Sequence, residues 1–187
     1  FESFNIDTSR VLHTPIVDVE ELKFDCMNQI NNLSRDDKVI FVIDSIGNLA
    51  SRKEVEDALN EKSVADFTKS KQLKSFFRMV TPHLNLKDIP MIVISHTYSE
   101  MGLYPKEIVS SGKGVYAADN IFIVGRRQEK DGTEIAGYEF ILNVEKSRYV
   151  KEKSKIPISI SYDHGISKYS GLLDMALESG HVMKPSN

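Results

Sequence analysis

Two short stretches place chemically capable groups directly after apolar runs. In "KVIFVIDSIG" the apolar residues Val39 to Ile43 are followed at once by Asp44 and Ser45, and in "IPMIVISHTY" a similar run closes on Ser95 and His96. A carboxylate at the end of an apolar strand is placed to hold the water shell of a nucleotide-bound magnesium ion, a hard cation that prefers oxygen ligands. An imidazole at the end of a second strand is placed to sense a terminal phosphate and pass the signal into the segment that follows. Each residue also has a plainer reading, Asp44 as a side-chain cap of the next turn and His96 as a hydrogen-bonded structural histidine. Ser45 and His96 together invite a hydrolase reading, but no nucleophile-elbow glycine pattern surrounds Ser45. The five histidines show no metal-ligand spacing, and Cys26 falls on an apolar helix face rather than in surroundings that activate a thiol.

These groups need strands to carry them. A continuous β-branched run such as Val39 to Ile43 is too short for an all-round buried helix and fits a strand covered on both faces, which implies a parallel sheet. In such sheets ligands bind outside the carboxyl ends of the strands, so Asp44 and His96 are expected to share one rim. Before the first strand, "DVEELKFDCMNQINNL" sets Val19, Leu22, Cys26, Ile30 and Leu33 at helical steps, with Asp18 and Glu21 as cap. Between the strands, a helix is expected from about Ser63 to Val80 on Val64, Phe67, Phe76, Phe77 and Val80, with Pro82 as its stop. Residues Thr97 to Ala118 have no clean period and contain Gly102, Gly112 and Gly114, which predicts a mobile functional loop. "NIFIVGRR", "GYEFILNVEKSR" and "KIPISISY" read as strands that extend the sheet, one pair joined at Asp131-Gly132 as a hairpin. "SGLLDMALESG" closes the chain as a short helix. The charge run Lys151 to Lys155 reads as a solvated strand connection.

With 187 residues, 41% hydrophobic and 27% charged, the chain is expected to form a single soluble domain, 1–187. No apolar run approaches the roughly 18 residues of a membrane span, and the first residues do not resemble a secretion signal. One cysteine allows no intrachain disulfide and suits a reducing compartment such as the cytoplasm. The net charge of −3 means that any nucleic-acid affinity must come from local basic loops.

Taken together, "VIFVIDSIGNLASRKEVEDALNEK", "IVISHTY", "SSGKGVYAADNIFIVGRR", "NVEKSR" and "YSGLLDMALESG" resemble the RecA-type recombinases, in order and with matching spacing from about Asp7 to Asn187. The resemblance implies an α/β fold: a RecA-like P-loop ATPase core with a mainly parallel twisted sheet, flanking helices and an antiparallel extension. It implies ATP-dependent homologous pairing and strand exchange, with ATP and magnesium as cofactors and a homo-oligomeric filament on single-stranded DNA. By that resemblance Asp44 is the carboxylate that meets magnesium through water, Ser45 its neighbour, and His96 the γ-phosphate sensor. Residues 50 to 61 resemble a first DNA-binding loop and 97 to 115 a second, with Arg52, Lys53, Lys106 and Lys113 available to phosphates and Gly112 and Gly114 allowing close backbone approach. Lys146 and Arg148 match a basic pair that in the family reaches across to a neighbour's nucleotide; their plainer reading is two solvated strand-end charges.

The sequence also departs from the family. It contains no G-x-x-x-x-G-K-[ST] loop, and the family's water-positioning glutamate, N-terminal polymerisation segment and C-terminal extension are likewise missing. The chain therefore reads as a core truncated before the phosphate-loop strand, with half a nucleotide site, no ATP hydrolysis of its own and an open sheet edge that favours self-association. Two other readings stand beside it. One is a degenerate RecA-like paralogue that acts as a partner-binding subunit; the other is a ring-forming ATPase on the same core, such as a helicase.

Overall fold

The three-and-four spacing of residues 19 to 33 is realised as helix α1, Val19–Asn32, in the computed structural model, which describes residues 6–61, 68–100, 106–109 and 112–184. Asp18 caps it, its carboxylate accepting from the Glu21 amide at 2.6 Å, an interaction worth ~1 kcal/mol. Val19, Leu22, Cys26 and Ile30 are buried. Burial pushes the Cys26 thiol up to about 12, helped by the neighbouring Asp25 charge, so it carries no thiolate at neutral pH. The other end of α1 is closed from a distance: Lys87 Nζ donates to the carbonyls of Ile30 and Leu33 at 2.5 Å and of Asn31 at 3.3 Å, satisfying acceptors the helix cannot pair itself.

Lys87 is the last residue of helix α3, Thr68–Lys87, which follows the short helix α2, Arg52–Leu59. The expected stop at Pro82 is wrong, since α3 runs through it for another five residues, 83 to 87. Leu73, Phe76, Phe77, Val80 and Leu84 form one buried stripe, and the last of these lies beyond the proline, so core burial outweighs the lost backbone hydrogen bond. The helix ends instead at Asp88, whose φ is 58°. There the Ile89 amide bonds to the Leu84 carbonyl at 3.0 Å and the Asp88 amide to Asn85 at 3.3 Å, a Schellman closure sealed by buried Leu84 and Ile89. Val64 and Phe67 lie outside the described residues.

The chain clusters into two compact units, Phe1–Ala117 and Ala118–Asn187. In the first, strands β1, Phe41–Ile43, and β2, Met91–Val93, pair in parallel, as a connection through two helices requires. The expectation of a strand covered on both faces is not met. Phe41, Ile43, Met91 and Val93 are half-buried, whereas Ile40, Val42, Ile92 and Ile94 point the other way and stay exposed. Of residues 97 to 118, expected as a mobile functional loop, most of the described ones form regular elements. Strands β3, Thr97–Glu100, and β4, Lys106–Val109, form an antiparallel hairpin, and a 3-10 turn at Gly112–Ala117 follows. Across the hairpin Ser99 Oγ donates to Glu107, and hydrogen bonds from Ser99 and Thr97 hold the Glu107 carboxyl below its usual range.

The second unit is a four-stranded antiparallel sheet in the order β5–β6–β7–β8: Asn120–Asp131, Glu134–Ser147, Lys155–Ser161 and Gly165–Ile166. Asp131 pairs with Glu134 around Gly132 at φ 61°, the hairpin read at Asp131-Gly132. Helix α4, Leu172–Glu178, closes the described chain. The fold is thus mixed α/β, with a parallel pair and an antiparallel extension. It is not mainly parallel: among the described strands β1–β2 is the one parallel pair, and β3–β4 and β5 to β8 pair antiparallel. Among the described residues no helix is long and apolar enough to cross a membrane.

Candidate functional site

The ends of β1 and β2 lie side by side, since Ile43 is in register with Val93. The ladder continues past both strands: the Ile94 amide donates to the Ile43 carbonyl at 2.9 Å, and the Ile46 amide returns to Ile94 at 3.0 Å. That bond pins the turn after Asp44 and Ser45, whose connecting peptide is cis, against the residues leading to His96. Asp44 and His96 are both exposed and share one rim.

A 3-10 turn, Ile46–Asn48, forms the floor of that rim. Ile46 is fully buried and anchors it. Asn48 Oδ1 lies 3.2 Å from His96 Nε2 and Ser45 Oγ lies 3.5 Å from the same nitrogen, so both side chains hold the ring through Nε2. A Cβ on Gly47 would sit 2.8 Å from His96 Cδ2, so only glycine leaves the ring this place. Lys69 of α3 donates to the Gly47 carbonyl at 2.8 Å and ties the turn to that helix. Sequence reasoning named Asp44, Ser45 and His96 for this rim but not Gly47, Asn48 and Lys69, which the structure places against them. The polar "GN" after the strand was the available signal for the first two; Lys69 had none.

Among the described residues no group of three His, Cys, Asp or Glu is placed to hold a metal ion. A single exposed carboxylate nevertheless suits magnesium, which keeps most of its waters and shares the remaining ligands with phosphates. Asp44 fits that demand, and His96 stands at the same rim.

The other predicted residues are distributed differently. Arg52 and Lys53 open α2 rather than lying on a loop, because Ser51 and Glu54 form a capping box there: the Ser51 hydroxyl accepts from the Glu54 amide at 3.0 Å and the Glu54 carboxylate from the Ser51 amide at 3.4 Å. Arg52 Nε pairs with Asp18 at 3.2 Å and Lys53 with Asp57. Both cations are therefore partly neutralised within the chain, and α2 has more acids (Glu54, Glu56, Asp57) than bases. Lys106 lies on β4, and Gly112, Lys113 and Gly114 fall in the Gly112–Ala117 turn. The missing side chain of Gly114 admits helix α3, since a Cβ there would stand 3.0 Å from the Lys74 Cα. In the second unit Lys146 Nζ donates to the Ala118 carbonyl at 2.7 Å, and Arg148 pairs with Asp119.

A parallel strand pair brings an acid and an imidazole to one rim, in a mixed α/β chain that also carries an antiparallel sheet ending in two cations. No family model matches the chain. It is 54% identical over 186 residues to the "Recombination and repair protein" of Enterobacteria phage T4, covering 99% of this chain and 48% of that protein. It is also 28% identical over 149 residues to "Protein RecA" of a Nocardioides species and of Streptomyces coelicolor, covering 78% of this chain and 42% and 39% of theirs. The chain spans less than half the length of each of these relatives. The likenesses support the RecA-type recombinase family.

Proposed function

We propose that this chain is the core of an ATP-dependent DNA recombinase of the kind typified by the UvsX proteins of phages, acting in recombination and repair in the host cytoplasm. The observation that carries the reading is the shared rim of Asp44 and His96 at the ends of neighbouring parallel strands. An intact rim weighs against the degenerate-subunit reading.

In this reading Asp44 orients the water shell of magnesium, and Asn48 and Ser45 hold His96 where its ring meets the terminal phosphate. Bound ATP supplies the energy that orders and renews a filament on DNA. Lys146 and Arg148 stabilise phosphoryl charge on a neighbouring subunit's nucleotide. The hairpin and turn between His96 and Ala117 form the single-strand surface, directly downstream of the sensor, so phosphate contact and DNA contact lie on one continuous segment. Both compact units are read as parts of one core domain.

Two measurements test this. Because these 187 residues contain no phosphate-cradling loop, the purified chain is expected to show no DNA-stimulated ATP turnover; measurable turnover sinks that half of the reading. Lys113→Ala is expected to weaken single-strand binding equally for all sequences and to lower the salt slope by about 0.7, the loss of one phosphate contact. Binding and slope unchanged by the substitution remove the turn from the DNA surface.

A further inference from the structure

Three consecutive residues where β6 ends, Lys146 to Arg148, are each held by one of three residues where β5 begins, Ala118 to Asn120. Lys146 Nζ donates to the Ala118 carbonyl at 2.7 Å, Ser147 Oγ donates to Asn120 Oδ1 at 2.7 Å, and Arg148 forms an ion pair with Asp119, Nε to Oδ1 2.8 Å. Register sets this up, since Asn120 pairs with Ser147 and Ile121 with Lys146. The amides of Tyr149 and Val150 then fold back onto Ser147 Oγ at 3.0 and 3.1 Å, fixing the corner from which Arg148 projects.

The ion pair joins Asp119 to Arg148 at Nε, and the arginine side chain stays 63% exposed. A guanidinium is a planar fork of five donors. Among the described residues no hydrogen bond engages its two terminal nitrogens. We propose that Asp119 is a positioning residue, which holds Arg148 by Nε so that its terminal nitrogens stand ready as a bidentate fork for a polyphosphate oxyanion. This rests on reading Lys146 and Arg148 as the phosphate-binding pair. Two effects oppose each other here. The carboxylate offsets part of the arginine charge, but at this exposure water and salt screen that loss. Against it, a long side chain already ordered before binding spares the cost of ordering it on contact, and this effect wins.

The test is titration of the labelled 187-residue chain with sodium tripolyphosphate, followed at the Arg148 Nε–H nuclear magnetic resonance signal and by calorimetry. Asp119→Ala is expected to weaken binding about 3- to 10-fold and to speed solvent exchange of the Nε proton. Asp119→Asn keeps an acceptor for Nε and is expected to stay within about twofold of the parent. Arg148→Lys keeps the charge without the fork and is expected to lose as much as Asp119→Ala. Should Asp119→Ala bind as tightly as the parent or more tightly, the carboxylate is a competitor or a bystander and the proposal fails. Should Arg148→Ala leave binding unchanged, the phosphate-binding reading of the pair fails and takes the proposal with it. Weaker binding by Arg148→Ala with no effect of Asp119→Ala sinks the positioning role alone.

Discussion

Gly137→Ala is expected to destabilise the antiparallel sheet by about 3 kcal/mol, the upper end of what overpacking costs. Gly137 is buried on β6, between β5 and β7, paired with Glu129 on one side and Ser161 on the other. A Cβ added there would stand 2.3 Å from the Ile160 carbonyl oxygen and 2.9 Å from the Ser161 Cα. Both are backbone atoms, so no side-chain rotation relieves the clash. Moving the β7 backbone means breaking pairs on two sides, because Ile160 is also in register with Ile166 of β8. Urea unfolding reports the effect through the near-ultraviolet signal of Tyr138 and Tyr162, whose rings meet edge to face at 6.1 Å, and the chain has no tryptophan to obscure it. Gly132→Ala is the contrast. Nothing lies within 4 Å of a Cβ at that position, so its cost is the left-handed backbone alone, φ 61°, about 1 kcal/mol. Equal losses at the two sites, or a loss at Gly137 under about 1 kcal/mol, refute the steric account.

That contrast also marks what the amino-acid sequence reveals. Local physics was legible. Asp18 and the periodic apolar residues of α1, the Asp131-Gly132 hairpin, and the polar residues closing two apolar runs each have their cause within a few neighbours in the chain. Non-local decisions were not. Pro82 is a helix stop by its own chemistry, yet Leu84 one residue further along the buried stripe overrides it. The β3–β4 hairpin carries Thr97, Tyr98, Ser99 and Glu100 against Lys106, Glu107, Ile108 and Val109, too polar on one strand for alternation to stand out. The rim was foreseen through Asp44 and His96. Their supports were not, because Asn48 and Lys69 matter only once parallel register and the seat of α3 bring them to the turn. Asp119 is the same case, a carboxylate whose partner Arg148 lies 29 positions away and is found only through the β5–β6 register.

Val42→Lys combined with Ile92→Lys is expected to convert a self-associating chain into a monomer. Val42 and Ile92 are neighbours in register, and by strand alternation Ile40 and Ile94 share their face. Ile40, Val42, Ile92 and Ile94 remain 53%, 59%, 51% and 42% exposed, an apolar patch among the described residues. Burying the remaining half of each side chain yields about 1 kcal/mol, or about 8 kcal/mol gross when two copies meet face to face. Association costs at least about 4 kcal/mol, which leaves a dissociation constant of about 1 mM from the patch alone. Sedimentation equilibrium between about 10 μM and 1 mM reaches that value. The parent chain is expected to shift toward dimer across that range and the double variant to stay monomeric, because two lysines pressed together in an apolar face lose hydration without gaining a partner. A parent chain that is strictly monomeric at the top of the range overturns self-association, and a double variant that still dimerises moves the interface to another face.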